Sequence, residues 1–180
     1  MKNFSLIFFA ITAFAVSSCK DNSKQSEAEV VTVDNAESKT YEIAKTEAEF
    51  NDPKVEAIFD QYLQIEAGLV NTDASKTAIA ASKLQEQLKE INADETTKNV
   101  VAAMATSEDI KVQRENFEAL SNGLEGMLKG ALKSGTLYKQ FCPMAFNNKG
   151  AYWISSSEDI LNPYFGDKML KCGRVDSKLE

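Results

Sequence analysis

Asp52-Pro53-Lys54-Val55-Glu56-Ala57-Ile58-Phe59-Asp60-Gln61-Tyr62-Leu63-Gln64-Ile65-Glu66-Ala67-Gly68-Leu69 is the stretch that decides the fold. An acid followed by proline is a helix start: the carboxylate caps free N–H groups, and proline at the first helical position loses no hydrogen bond. Val55, Ile58, Phe59, Tyr62, Ile65 and Leu69 then recur every three or four residues, which places them on one face of a helix. Asn71 to Asp73 end it. A second helix is predicted from about 74 to 91, with Ala78, Ala81, Leu84, Leu88 and Ile91 inward and a high alanine content that permits close packing. Asn92 to Asp94 mark the next turn, and a short third helix carries Val100, Val101 and Met104. Ser107, followed by Glu108 and Asp109, reads as the cap of a fourth and longest helix. It carries Ile110, Phe117, Leu120, Leu124, Met127, Leu128 and Ala131 and stops near Ser134-Gly135.

Four amphipathic helices joined by short turns cannot bury their apolar stripes singly. The expected fold is therefore mainly α, an antiparallel four-helix bundle over 52–134. Gly123, Gly126 and Gly130 each cost about 1 kcal/mol against alanine inside a helix. Close helix packing or a turn explains them more simply than a hinge.

After Leu137 the character changes. Tyr138, Phe141, Phe146, Tyr152, Trp153, Tyr164 and Phe165 crowd a short segment, which marks a packed element. Residues 137–141 and 151–155 can pair as strands across the Asn147-Asn148-Lys149-Gly150 turn. The expectation is a small β-rich, aromatic C-terminal cap over 135–176, packed on the helices.

The first eighteen residues read as an export signal: Lys2, then an apolar stretch from Leu6 to Val16. It ends in Val16-Ser17-Ser18-Cys19, a lipobox-like sequence in which Cys19 is the lipid attachment point. Lysine at position 20, where an acid would favour retention at the inner membrane, points to an outer-membrane lipoprotein facing the periplasm or the cell surface. From Cys19 to Asn51 the composition is that of a solvated tether, able to span on the order of 30 Å. The formal charge of −7 argues against nucleic acid and against tight docking on anionic lipid, so the lipid anchor is the expected membrane contact. Oligomeric state is not legible.

With Cys19 assigned to lipid, Cys142 and Cys172 are the remaining thiols, each beside a methionine, in Cys142-Pro143-Met144 and Met169-Leu170-Lys171-Cys172. The chain has no histidine. Two thiols and two thioethers suit Cu(I) by softness. In an extended segment Cys142 and Met144 share a side, whereas Met169 and Cys172 converge only if the chain turns there. On the residues alone the favoured reading is a Cys142–Cys172 disulfide, the common fate of two thiols in an oxidising compartment. Closing that loop of about thirty residues would stabilise the fold by roughly 3–4 kcal/mol.

The C-terminal residues Phe141-Cys142-Pro143-Met144-Ala145, Gly150-Ala151-Tyr152-Trp153, Ile160 to Gly166, and Met169 to Gly173 resemble the bacterial domain of unknown function 3347, over roughly residues 52–175. That resemblance implies an envelope lipoprotein of the kind found in Bacteroidetes-type bacteria, with heavy-metal efflux components as partners. A looser likeness links Cys142-Pro143-Met144 to the heavy-metal-binding segments of copper exporters. The histidine that follows C-P-M there is missing, and Cys172 stands alone where those segments carry C-x-x-C-G. Taken together, the resemblance raises metal to parity with the disulfide and makes Cu(I) the favoured ion. Its expected ligands are Cys142, Met144, Met169 and Cys172.

No enzyme is expected. General-base histidine, Gly-rich phosphate loop and nucleophile elbow are all missing from the sequence. Asp159 is the acid nearest the aromatic cluster, and a turn or cap around 157–160 accounts for it. The cysteines lie too far apart in sequence for a C-x-x-C oxidoreductase.

Overall fold

A computed structural model describes residues 39–180. The export signal, Cys19 and the first part of the tether lie outside the described residues. About half of the chain is helical, in α1 (Pro53–Val70), α2 (Ala74–Glu90), α3 (Glu95–Thr106) and α4 (Ile110–Leu128). An acid caps every one. Asp52 accepts from Lys54 N–H at 2.8 Å, Asp73 from Lys76 at 2.9 Å, Asp94 from Thr97 at 2.9 Å and Asp109 from Lys111 at 2.8 Å. Each carboxylate fills a donor that the first helical turn leaves open. The cap of α4 is thus Asp109, two residues later than the sequence suggests; Ser107 instead accepts from Asp109 N–H at 3.1 Å.

Each helix packs against the next, and α4 supports the sheet that follows. Their shared interior holds Ile58, Phe59, Tyr62, Ile65, Leu69, Ala81, Leu84, Leu88, Val101, Met104, Phe117, Leu120 and Leu124. At Gly123 a Cβ would come within 2.6 Å of Thr97 Oγ1, so this glycine is a packing residue. Gly130 has φ +76, a conformation that suits glycine, and it ends the helical stretch. This corrects the expected extent of the fourth helix. Leu132–Ser134 form strand β2, paired antiparallel with β1 (Glu49–Phe50).

The pairing also moves the end of the expected tether. Ala48 and Phe50 are buried, and Asn71 exchanges two 2.8 Å hydrogen bonds with the Tyr41 backbone. The Phe50 ring lies 5.8 Å from that of Phe59. Residues from about 41 onward therefore belong to the folded part, because Ile43, Ala48 and Phe50 have apolar surface to lose.

Three strands make the second sheet: β3 (Leu137–Cys142), β4 (Ala151–Ser155) and β5 (Arg174–Leu179), in the order β4-β3-β5 and all antiparallel. The β3–β4 register runs from Tyr138 opposite Ser155 to Cys142 opposite Ala151, the hairpin expected from the sequence. β5 has no counterpart in the sequence expectation, and it extends the cap past residue 176. Tyr62 of α1 joins helices to sheet. Its oxygen accepts from Ile154 N–H at 3.0 Å and it donates to Ser121 Oγ at 2.7 Å, while Ser121 donates to Phe117 C=O at 2.8 Å. Tyr62 also stacks on Phe117 at 4.9 Å, and Phe117, Tyr164 and Trp153 continue the aromatic contact into the cap.

Candidate functional site

The two thiols meet. Cys142 ends β3, and Cys172 lies just before β5, which pairs with that strand, so the β3–β5 pairing of Phe141 with Arg174 brings them together. Their sulfurs are 3.5 Å apart and both are free thiols. Cys142 is fully buried and Cys172 partly so. Burial, and then the neighbouring Cys142 sulfur, push the Cys172 thiol above its usual value. A low dielectric disfavours a thiolate, and two sulfurs in contact cannot both ionise cheaply.

The loop that presents Cys172 is built on Asn162, which is fully buried. Its Oδ1 accepts from Tyr164 N–H at 2.8 Å and Phe165 N–H at 3.1 Å, an Asx-type turn. Its Nδ2 donates to the Cys172 carbonyl at 2.6 Å, and its backbone N–H donates to Leu170 C=O at 2.8 Å. Arg114 of α4 secures the same loop to the helices, donating to Pro163 C=O at 2.8 Å and to the C-terminal Leu69 C=O of α1 at 3.0 Å.

The methionines are placed differently from the thiols. Met169 ends a 3₁₀ turn, Gly166–Met169, and its carbonyl accepts from Cys172 N–H at 3.0 Å, so the chain does turn there. Met144 is 48% exposed while Cys142 has no exposure. The expected alternation fails because β3 stops at Cys142 and Pro143-Met144 form a turn. Beyond it Phe146, Asn147 and Asn148 have φ of 50, 58 and 66°, a left-handed run that costs about 1–2 kcal/mol per residue. Phe146 offsets part of that cost by an edge contact with Tyr164 at 5.4 Å. Among the described residues no three His, Cys, Asp or Glu side chains gather as a metal cluster. Asp159 is exposed and contributes only its backbone, accepting from Gln140 Nε2 at 3.3 Å.

One buried acid has no place among the residues singled out from the sequence. Glu66 lies on the inner face of α1 with no exposure. The indole N–H of Trp153 faces it and favours the charged form, but the contact falls short of a formed hydrogen bond. Both carboxyl oxygens and Trp153 Nε1 lack a partner among the described residues. Desolvation dominates and holds the Glu66 carboxyl well above the usual carboxylate range. The same indole has its far edge against the thiol loop, since a Cβ on Gly173 would sit 2.9 Å from Trp153 Cη2. Spacing holds the signal, as Phe59, Tyr62, Glu66 and Leu69 follow one 3-4-3 stripe.

Residues 58–135, a segment that runs from within α1 to just past β2, match the family described as Protein of unknown function (DUF3347). The match ends before the cap, so the thiol pair lies outside it. No curated protein and no solved structure matches the chain.

Proposed function

We propose that this is a non-enzymatic lipoprotein of the outer membrane, anchored through Cys19, that binds Cu(I) between Cys142 and Cys172 and serves heavy-metal efflux or resistance. In this reading the four helices form an antiparallel bundle that acts as a rigid base for the cap. The observation that carries it is the 3.5 Å separation of two sulfurs thirty residues apart in sequence. Both are free thiols, and the chain offers no histidine to compete for the ion. Two soft thiolates favour Cu(I) over Zn(II), which prefers four nitrogen or sulfur ligands. Met169, at the start of the turn into Cys172, is the nearest thioether in the chain to that cysteine. Met144, on the exposed side of its turn, is the more accessible one.

Binding has to displace the thiol protons, and the raised Cys172 value makes that competition stronger. Affinity should therefore climb with pH. The test is a Cu(I) titration of the full chain under reductant against a competing chelator. The expected result is one ion per chain, lost in the Cys142→Ser, Cys172→Ser double variant. Unchanged affinity in that variant would refute the site.

The same separation favours a second reading, a cap stapled by a Cys142–Cys172 disulfide that serves protein interaction. The export signal implies an oxidising compartment, and the two thiols need little movement to join. Mass measurement after alkylation of freshly isolated protein separates the two, because no alkylated cysteine means a staple.

A further inference from the structure

We propose that Asn162 is the positioning residue of the thiol pair: its side-chain amide, by holding the Cys172 carbonyl, keeps the Cys172 sulfur against Cys142. The inference rests on Cys142 and Cys172 acting as one pair, and not on the identity of any ion they bind.

Cys172 sits on a connection with little regular structure, between the 3₁₀ turn and β5. Its partner is fixed, since Cys142 is the last residue of the central strand and has no exposure. What fixes Cys172 is a division of labour within one buried side chain. The Asn162 carbonyl oxygen organises the loop on its own side through Tyr164 and Phe165. The Asn162 amide reaches across ten residues to Cys172 at 2.6 Å, and its backbone N–H grips Leu170 at 2.8 Å. The segment 170–172 is thus held at both ends by one residue. Asparagine is required because it alone offers a short acceptor and a short donor on one planar group.

The acceptor and donor roles can be separated. Asn162→Asp keeps an acceptor for the Tyr164 and Phe165 N–H groups but turns an oxygen toward the Cys172 carbonyl, replacing attraction by repulsion. The readout is the equilibrium between the reduced pair and glutathione disulfide. The two thiols give up two electrons and two protons, the Cys142–Cys172 bond forms, the glutathione S–S bond breaks, and two glutathione thiols leave. That constant measures how well the sulfurs are juxtaposed. Leu84→Ala, a core truncation in α2, serves as the control for stability loss alone.

At neutral pH the oxidation constant of Asn162→Asp should fall about tenfold below that of the unaltered chain, the worth of one lost buried hydrogen bond. That of Leu84→Ala should stay within twofold. An Asn162→Asp constant within twofold of the unaltered chain would overturn the proposal. So would equal shifts in both variants. If Asn162→Asp does not fold, Asn162→Ser, too short to reach Cys172, carries the same expectation. The assay contains no metal, so its outcome does not depend on whether the chain binds Cu(I).

Discussion

Glu66→Gln should change the pH dependence of stability in a way that a single proton dictates. Folding raises the proton affinity of this carboxyl above its ordinary value of 4.5, chiefly by desolvation. The folded protein therefore keeps a proton that the unfolded chain releases. Stability attached to this group is complete below pH 4.5 and declines as pH rises toward the folded value. The slope over that interval is about 1.4 kcal/mol per pH unit for one proton. The background is favourable, since the chain has no histidine. Glu49, Asp94 and Glu125 are shifted the other way, by Lys133, by Thr97 and by Lys139 respectively, so their contributions vary below the ordinary range. The glutamine of the variant has nearly the same shape as the acid it replaces and no proton to lose. Urea denaturation of both proteins at intervals upward from about pH 5 should show the original chain losing stability relative to the variant, by about 1.4 kcal/mol per unit until the folded value is reached. Parallel curves across that range would refute the neutral buried acid.

Tyr62→Phe should cost about 1–3 kcal/mol in the same assay, because the Ile154 N–H and Ser121 hydroxyl lose their buried partner. Gly150→Ala should destabilise by about 2 kcal/mol or more, since φ is +81 and the new Cβ would lie 2.3 Å from the Phe141 ring; near-ultraviolet circular dichroism should report the disturbed Phe141–Tyr152 pair. Asp73→Ala should cost about 1 kcal/mol by removing the α2 cap, read as a lower urea midpoint with an unchanged slope. Met144→Leu should leave the competitive Cu(I) affinity within about threefold of the original, because that residue is largely solvent-exposed while Cys142 is enclosed.

The helices are legible because each carries an apolar stripe at helical spacing bounded by turn-forming residues; a capping acid announces the first outright, whereas at the fourth the sequence offers Ser107 and the cap is Asp109. The same holds for the β3–β4 hairpin, where an asparagine- and glycine-containing turn separates two apolar segments. β5 is hidden for a physical reason. Arg174–Leu179 is an edge strand whose residues are mostly exposed, and only Val175 and Leu179 are apolar, so its sequence resembles a loop. Backbone pairing, which any composition permits, holds it in place. Met144 departs from expectation because the two-residue period of a strand ends with the strand, and the left-handed turn at 146–148 has no simple sequence signature. Asn162 is visible in the sequence only as a turn former. That a turn residue also reaches a carbonyl ten positions away depends on tertiary placement, which sequence spacing does not encode.

Trp153 is the chain's single tryptophan. One edge of its ring looks onto an isolated acid and the other touches the glycine that follows Cys172. The fold has thereby wired its own fluorophore to both places where chemistry is expected. Emission from unlabelled protein should register loading or oxidation at the sulfurs as quenching, and proton loss from Glu66 as a spectral shift. Each event can then be followed in real time without attaching a dye.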